Sequence, residues 1–333
     1  MKEAAFFESA AQKNVRCLLC PHNCVISPDK TGICKVRKNI DGVLYSLVYG
    51  KPIAQSVDPI EKKPLFHFHP GSSAFSIATV GCNFHCLHCQ NADISQVEEG
   101  IYPTEEVTPQ HIVDAAIKHG ATSIAYTYTE PTIFYEYAFD VGTLAHENGL
   151  KNVFVTNGYI EKEPLEHIAP LLDAANIDLK GMTESFYSKI CGGRLQPVLD
   201  AIKQYYDLGI WIEVTTLIIP GYNDGSETLS AIAQFIADLD SSIPWHVTGF
   251  YPTYKLLDTP PTSVSTLEKA VEIGKKAGLQ FIYQGNRGTD ENTYCPNCKK
   301  LLINRSGFSV SQNHITKDKC PFCGAVISGV HLH

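Results

Sequence analysis

Three cysteines, Cys82, Cys86 and Cys89, share one short segment, GCNFHCLHCQN (81–91). Thiolate sulfurs are the usual protein ligands of iron–sulfur clusters, and three on one loop can ligate three irons of a [4Fe-4S] cube. The absent fourth ligand is informative. A cluster that only carries electrons is normally closed by four cysteines, whereas three leave one iron open to a substrate or cofactor.

The other nine of the twelve cysteines are not scattered. Cys17, Cys20, Cys24 and Cys34 form an N-terminal group whose four thiolates suit either zinc or an auxiliary [4Fe-4S] cluster, with His22 able to replace one ligand. Cys295-x2-Cys298 and Cys320-x2-Cys323, separated by 21 residues, have the pattern of a zinc ribbon. The knuckles YCPNC and KCPFCG turn backbone N–H groups toward sulfur, and four thiolates make a closed, structural zinc site. Cys191 stands alone in CGGR; a lone cysteine ordinarily packs as a small buried hydrophobe, and the alternative, from its place downstream of the fourth strand, is a thiol at the reacting centre. Grouped Cys-x-x-Cys pairs in a chain of 333 residues without a basic-then-apolar leader point to metal ligands rather than disulfides.

No apolar stretch approaches the ~20 residues needed to span a bilayer, so the chain is expected in the cytoplasm. The net charge of −8 argues against a protein that coats nucleic acid over its whole surface. Residues 1–40 carry seven Lys/Arg against three Asp/Glu, and residues 292–333 carry five against one. Bound thiolates would cancel part of this positive charge, so basic arms and DNA binding are not indicated.

The elements that must hold the loop follow a regular rhythm from residue 75. Apolar, β-branched runs at 76–80, 123–128, 152–156, 176–179, 211–219 and 245–250 alternate with segments of helical spacing at 108–120, 131–149, 165–174, 196–209, 226–239 and 263–278. Six βα units in succession imply a parallel sheet with right-handed crossovers, either curled into a partial barrel or open and doubly wound. Ligands collect at the C-terminal ends of the strands in both. The expected division is an N-terminal cysteine module with a strand-rich linker (1–70), the βα array (71–285) and a ribbon-like module (286–333). In the linker, FHFH (66–69) sets His67 and His69 on one strand face; packing is the default reading, and an approach to the cysteine loop is the alternative.

The Cys-x3-Cys-x2-Cys loop after the first strand of such an array resembles the radical S-adenosylmethionine (SAM) superfamily. Residues 75–255 are similar to pyruvate formate-lyase activating enzyme. The whole chain is similar to the AmmeMemoRadiSam system radical SAM enzymes, on CLLCPHNC (17–24), DPIEKKPLFHF (58–68), CGGRLQPVLD (191–200) and PWHVTGFYP (244–252). This implies a partial (β/α)6 TIM-like barrel whose open iron binds the methionine part of SAM and cleaves it reductively to a 5′-deoxyadenosyl radical. It also implies roles at the strand ends. His88 takes the place of an aromatic residue near the adenine. Tyr128-Thr129-Glu130-Pro131 stands where the activating enzyme has Gly-Gly-Glu-Pro, with Tyr128 and Thr129 in place of the glycines, and Glu130 with the backbone around Thr129 would hold the SAM ammonium. Asn157 of Thr-Asn-Gly would lie on the ribose side. Asp178-Leu179-Lys180 matches the Asp-Leu-Lys of the activating enzyme's cofactor site, with Lys180 to pair with a carboxylate, and His246 would contact SAM.

Three functions compete. The first is a radical SAM enzyme acting on a macromolecule, protein or RNA, and supplied by a reductant such as flavodoxin or ferredoxin; the two flanking metal modules motivate it. The second is a glycyl-radical enzyme activase. The third is a non-enzymatic iron–sulfur or zinc scaffold, against which the open-iron triplet argues.

Overall fold

The structure, a computed structural model, describes residues 1–286 and 291–333. Residues 287–290, within the expected C-terminal module, lie outside the described residues. At its centre is an eight-stranded sheet: β1 (Ala54–Pro59), β2 (Ser73–Ala78), β3 (Ser123–Tyr126), β4 (Lys151–Thr156), β5 (Ala174–Asp178), β6 (Trp211–Ile218), β7 (Trp245–Gly249) and β8 (Ile282–Gly285). The strands lie side by side in chain order, and β1 pairs antiparallel with β2 while all other pairs are parallel. A doubly wound sheet reverses its strand order at a switch point. This one never reverses, so every crossover steps the same way and the sheet winds toward a barrel. Its edges, β1 and β8, do not pair with each other, which makes the barrel partial.

Side-chain alternation divides the two faces. Phe75 and Ile77 of β2 join the large outer core with Ile112 and Val113 of helix α1 (Pro109–Lys118). Ala74, Ala125, Val153 and Ala174, near the strand starts, form a second cluster with Ile60, Leu65 and Phe68 of the linker. Small residues in this layer leave room for Leu65 and Phe68, so the linker plugs the N-terminal end of the barrel. The expected helices are present, with local corrections. Thr108 caps α1, accepting from His111 N–H with Pro109 in the first turn. The run 165–174, read as one helix, is α2 (Lys162–Ile168) followed by a 3₁₀ turn (Ala169–Leu171), and β5 already begins at Ala174. Pro170 is the cause, since its missing N–H and ring stop the α-helix.

The C-terminal module closes the same end as the linker plug. Cys295, Leu302, Ile303 and Ile327 share one buried cluster with Phe66, Phe281 and Tyr283. Buried Arg305 donates to the Phe66 carbonyl at 2.7 Å and to Thr293 Oγ1 at 2.8 Å, and its guanidinium lies over the Phe66 ring. The ribbon is therefore part of the barrel's core and stands at the end opposite the strand C-termini. No helix among the described residues is long and apolar enough to cross a membrane.

Candidate active site

Cys82 stands four residues after the last residue of β2, at the C-terminal end of the barrel. The cysteine loop is clamped by a segment far along the chain. His85 N–H donates to the Cys191 carbonyl at 2.8 Å and Leu87 N–H to the Ile190 carbonyl at 2.9 Å, both in the π-helical turn Tyr187–Cys191. Phe84, only 1% exposed, is wedged between the Tyr159 ring and Gly193. A Cβ on Gly193 would stand 2.3 Å from Phe84 Cε1. Gly193→Ala must therefore push Phe84 and the loop outward. We expect a loss of about 1–3 kcal/mol from overpacking, together with lower iron retention after reconstitution. Unchanged iron content and melting temperature would refute the close fit.

The three thiols sit among groups suited to metal-bound sulfur. Cys82 Sγ accepts from Phe84 N–H at 3.3 Å and from Asn157 Nδ2 at 3.8 Å, and Cys89 Sγ lies 3.1 Å from Ser95 Oγ. Donors to sulfur of this kind tune iron–sulfur sites. Burial, then the Glu130 charge and the neighbouring thiol of Cys86, push the Cys82 thiol well above its ordinary range. It becomes a thiolate only with a compensating cation, which a cluster iron provides.

The strand-end residues divide into two sets. Asn157 reaches the loop, donating also to Asn83 Oδ1 at 2.8 Å. Lys180 pairs with Asp178 at 2.7 Å. Burial lowers the Lys180 pKa, but Asp178, Cys86 and Cys191 more than offset this and hold it raised. His88 is 4% exposed and its Nδ1 has no hydrogen-bond partner. Burial, then Lys180, lowers its pKa to about 3, so it is a neutral imidazole with a nitrogen free for a ligand. An orphaned buried nitrogen beside three thiols fits a site that takes a cluster and a further ligand.

Other candidates are spoken for by the protein. The Thr129 hydroxyl donates to the Thr79 carbonyl. Glu130 is fully buried, and its carboxylate accepts from Thr132 N–H, Thr132 Oγ1, Thr156 Oγ1 and Asn157 N–H. Burial pushes its carboxyl up, and those donors pull it back. Its position ties the segment after β3 to the end of β4. His246 is the second residue of β7, bonded to Glu213 at 2.7 Å and packed on Phe66 and Tyr283. The structure does not bring it to the loop. His67 belongs to the same layer: its Nε2 meets Tyr283 OH at 2.6 Å and its Nδ1 the Ser328 carbonyl at 2.7 Å. The FHFH run thus packs between barrel and ribbon, at the end away from the cysteines.

Cys191 is fully buried beside Cys86, and it helps to lower the Cys86 thiol below its ordinary range. Both readings of it from the sequence, a small buried hydrophobe and a thiol near the reacting centre, are compatible with this position, and the glycines of CGGR permit the approach to Phe84. Sequence reasoning missed Asn83, Ser95 and Arg194, the last bonded to the Pro21 carbonyl at 3.0 Å. In the ribbon, Cys295, Cys298, Cys320 and Cys323 bring their sulfurs within 4.8 Å of one another, a set able to hold one metal ion.

A family model described as the radical SAM superfamily matches residues 76–236. An uncharacterized protein of Methanocaldococcus jannaschii is 47% identical over 332 residues, covering 98% of this chain and 99% of that protein. The pyruvate formate-lyase-activating enzyme of Clostridium pasteurianum is 21% identical over 201 residues, 57% of this chain and 82% of that enzyme. Streptococcus suis SuiB, solved bound to S-adenosylmethionine, superimposes with a TM-score of 0.52 at 14% identity, over 71% of this chain and 56% of SuiB. At that identity the likeness is one of fold.

Proposed function

This chain belongs to the radical SAM superfamily and is an enzyme of that type, and from that premise we propose that it cleaves SAM reductively and abstracts hydrogen from a macromolecular substrate, protein or RNA. The observation that carries the reading is the Cys82–Cys86–Cys89 loop at the strand C-termini, with donors on its sulfurs and an unpartnered His88 nitrogen beside it. Cys82, Cys86 and Cys89 would hold a [4Fe-4S] cluster, which would supply the electron for reductive cleavage of SAM.

The chain's own residues orient and shield. Asn157 and Asn83 fix the position of Cys82, and Ser95 that of Cys89. The Lys180 ammonium, 15% exposed, offers a cation to a carboxylate of the bound cofactor. Neutral His88 offers a flat, uncharged ring to an adenine. The ribbon and linker seal the far end of the barrel, so a substrate enters at the strand C-termini. Zinc suits the four ribbon thiols as a closed structural site.

A narrower reading, activation of a partner enzyme through a glycyl radical, is favoured by the similarity to a pyruvate formate-lyase-activating enzyme. Both readings require a low-potential one-electron donor of the flavodoxin or ferredoxin class. The test is anaerobic reconstitution with iron and sulfide, reduction with dithionite, and addition of SAM. Formation of 5′-deoxyadenosine is expected; its absence from a fully loaded protein would sink the proposal. A glycyl-radical resonance on a partner after turnover would select the narrower reading.

A further inference from the structure

The N-terminal cysteines differ from the ribbon in a way that bears on what they hold. In a tetrahedral zinc site with Zn–S bonds of about 2.3 Å, the sulfurs stand roughly 3.8 Å apart. The ribbon has this geometry, with Cys295–Cys323 at 3.6 Å and Cys298–Cys320 at 3.7 Å. Cys17, Cys20, Cys24 and Cys34 do not. They line one cavity, yet among the described residues only the ribbon gathers three or more ligating atoms within 4.8 Å of one another. The central triplet is spread in the same manner. Sulfurs that ligate one ion must converge, whereas sulfurs that each ligate a different iron of a cube stay further apart.

From this spacing we infer that the N-terminal module holds a second, closed iron–sulfur cluster of the [4Fe-4S] class, ligated by Cys17, Cys20, Cys24 and Cys34. The surroundings suit it. Leu19, Ile26, Ile33 and Ile133 make the cavity wall apolar, which keeps water from the iron. Arg37 also lines the cavity, is 2% exposed, and has an Nε hydrogen with no acceptor. Its two terminal nitrogens are held by Glu136 and the Ala5 carbonyl. The remaining N–H is a donor for a sulfide or thiolate, and the guanidinium offsets the negative charge of a four-thiolate cluster.

The module also lies directly on the central loop. His22 Nε2 meets the Asn83 carbonyl at 2.7 Å, and the Asn83 side chain lies 3.9 Å from Cys82 Sγ. Gly81 has φ +95°, and a Cβ there would be 2.8 Å from the Cys34 carbonyl. The two cysteine sites are therefore neighbours in one contact network, and the ribbon is remote from both.

The inference does not depend on what the central cluster does. Its test is the full-length Cys82→Ala/Cys86→Ala/Cys89→Ala protein, purified anaerobically and reconstituted with iron and sulfide. About four irons should remain per chain, against about eight in the wild type, with one zinc. Dithionite should give a reduced-cluster resonance that added SAM leaves unchanged, because four thiolates leave no iron open. Two zincs and no iron in the triple variant would overturn the inference. So would a wild type with four irons and two zincs, whether or not it cleaves SAM. Cys20→Ala is the reciprocal variant: it should lose about four irons and keep the SAM-responsive signal of the central site, and retention of all eight would count against the assignment.

Discussion

Cys82→Ala is expected to abolish SAM cleavage and to remove the central cluster while the protein stays folded. Two protein donors hold Cys82 in place. Its sulfur accepts from the Phe84 N–H and the Asn157 amide, and Asn83 adjoins it. Alanine removes one of three thiolates from a cluster that already has an iron without a protein ligand, so the cube loses its hold. The fold is affected far less. Two donors lose a weak acceptor, a cost of about 1–3 kcal/mol if they stay buried and unpaired. The clamp of His85 and Leu87 on the Cys191 turn survives, since it is made of backbone bonds. Iron and zinc analysis should therefore show a drop of about four irons per chain with zinc unchanged, and 5′-deoxyadenosine should be undetectable. A variant that kept its iron and still turned over SAM would refute Cys82 as a required cluster ligand.

What the sequence reveals about this site depends on whether a feature is local. The cysteine triplet and the ribbon are legible because their ligands are a few residues apart and metal geometry dictates the spacing. The βα rhythm is legible because periodicities of 2 and 3.6 residues are written along the chain. Side-chain direction is not so written. His246 belongs to a strand-end motif, yet as the second residue of β7 it faces Glu213 in the layer beneath. Glu130 stands in the expected motif, but its carboxylate bonds the protein's own donors. Contacts between distant segments were equally hidden. Cys191 meets Cys86 only because the turn Tyr187–Cys191 folds back on the loop, and nothing in CGGR states its partner. The end of the barrel that the ribbon closes was also unwritten; it is settled by Phe66, Tyr283 and Arg305, from three separate segments.

Glu130→Gln is expected to destabilise the protein almost as much as a truncation, although it changes neither size nor shape. The carboxylate is 0% exposed and faces only donors. Oε1 accepts from Thr132 N–H at 3.0 Å, Thr132 Oγ1 at 2.7 Å and Thr156 Oγ1 at 2.8 Å, and Oε2 accepts from Asn157 N–H at 2.8 Å. A carboxylate satisfies all four; an amide cannot. Turned its better way, the glutamine sets its NH2 against the Asn157 N–H, so two buried donors confront each other. Losing a charged hydrogen bond and stranding a buried donor costs about 2–4 kcal/mol, and Glu130→Ala, which strands all four, about 3–5 kcal/mol. At roughly 1–2 °C per kcal/mol for a chain of this length, the glutamine variant should melt about 2–8 °C lower. The damage also has a direction. The backbone of Asn157 is what Oε2 holds, and the side chain of Asn157 reaches Cys82 and Asn83. Releasing that residue loosens the first cluster ligand, so Glu130→Gln should lose iron from the central site at temperatures where its far-ultraviolet circular dichroism is still native. Asp178→Asn, which alters a strand-end carboxylate 32% exposed and bonded to Lys180, serves as the comparison and should leave iron retention closer to wild type. Equal iron loss in the two variants would mean that Glu130 acts only on general stability, and an unchanged melting curve would mean that the four donors find other acceptors.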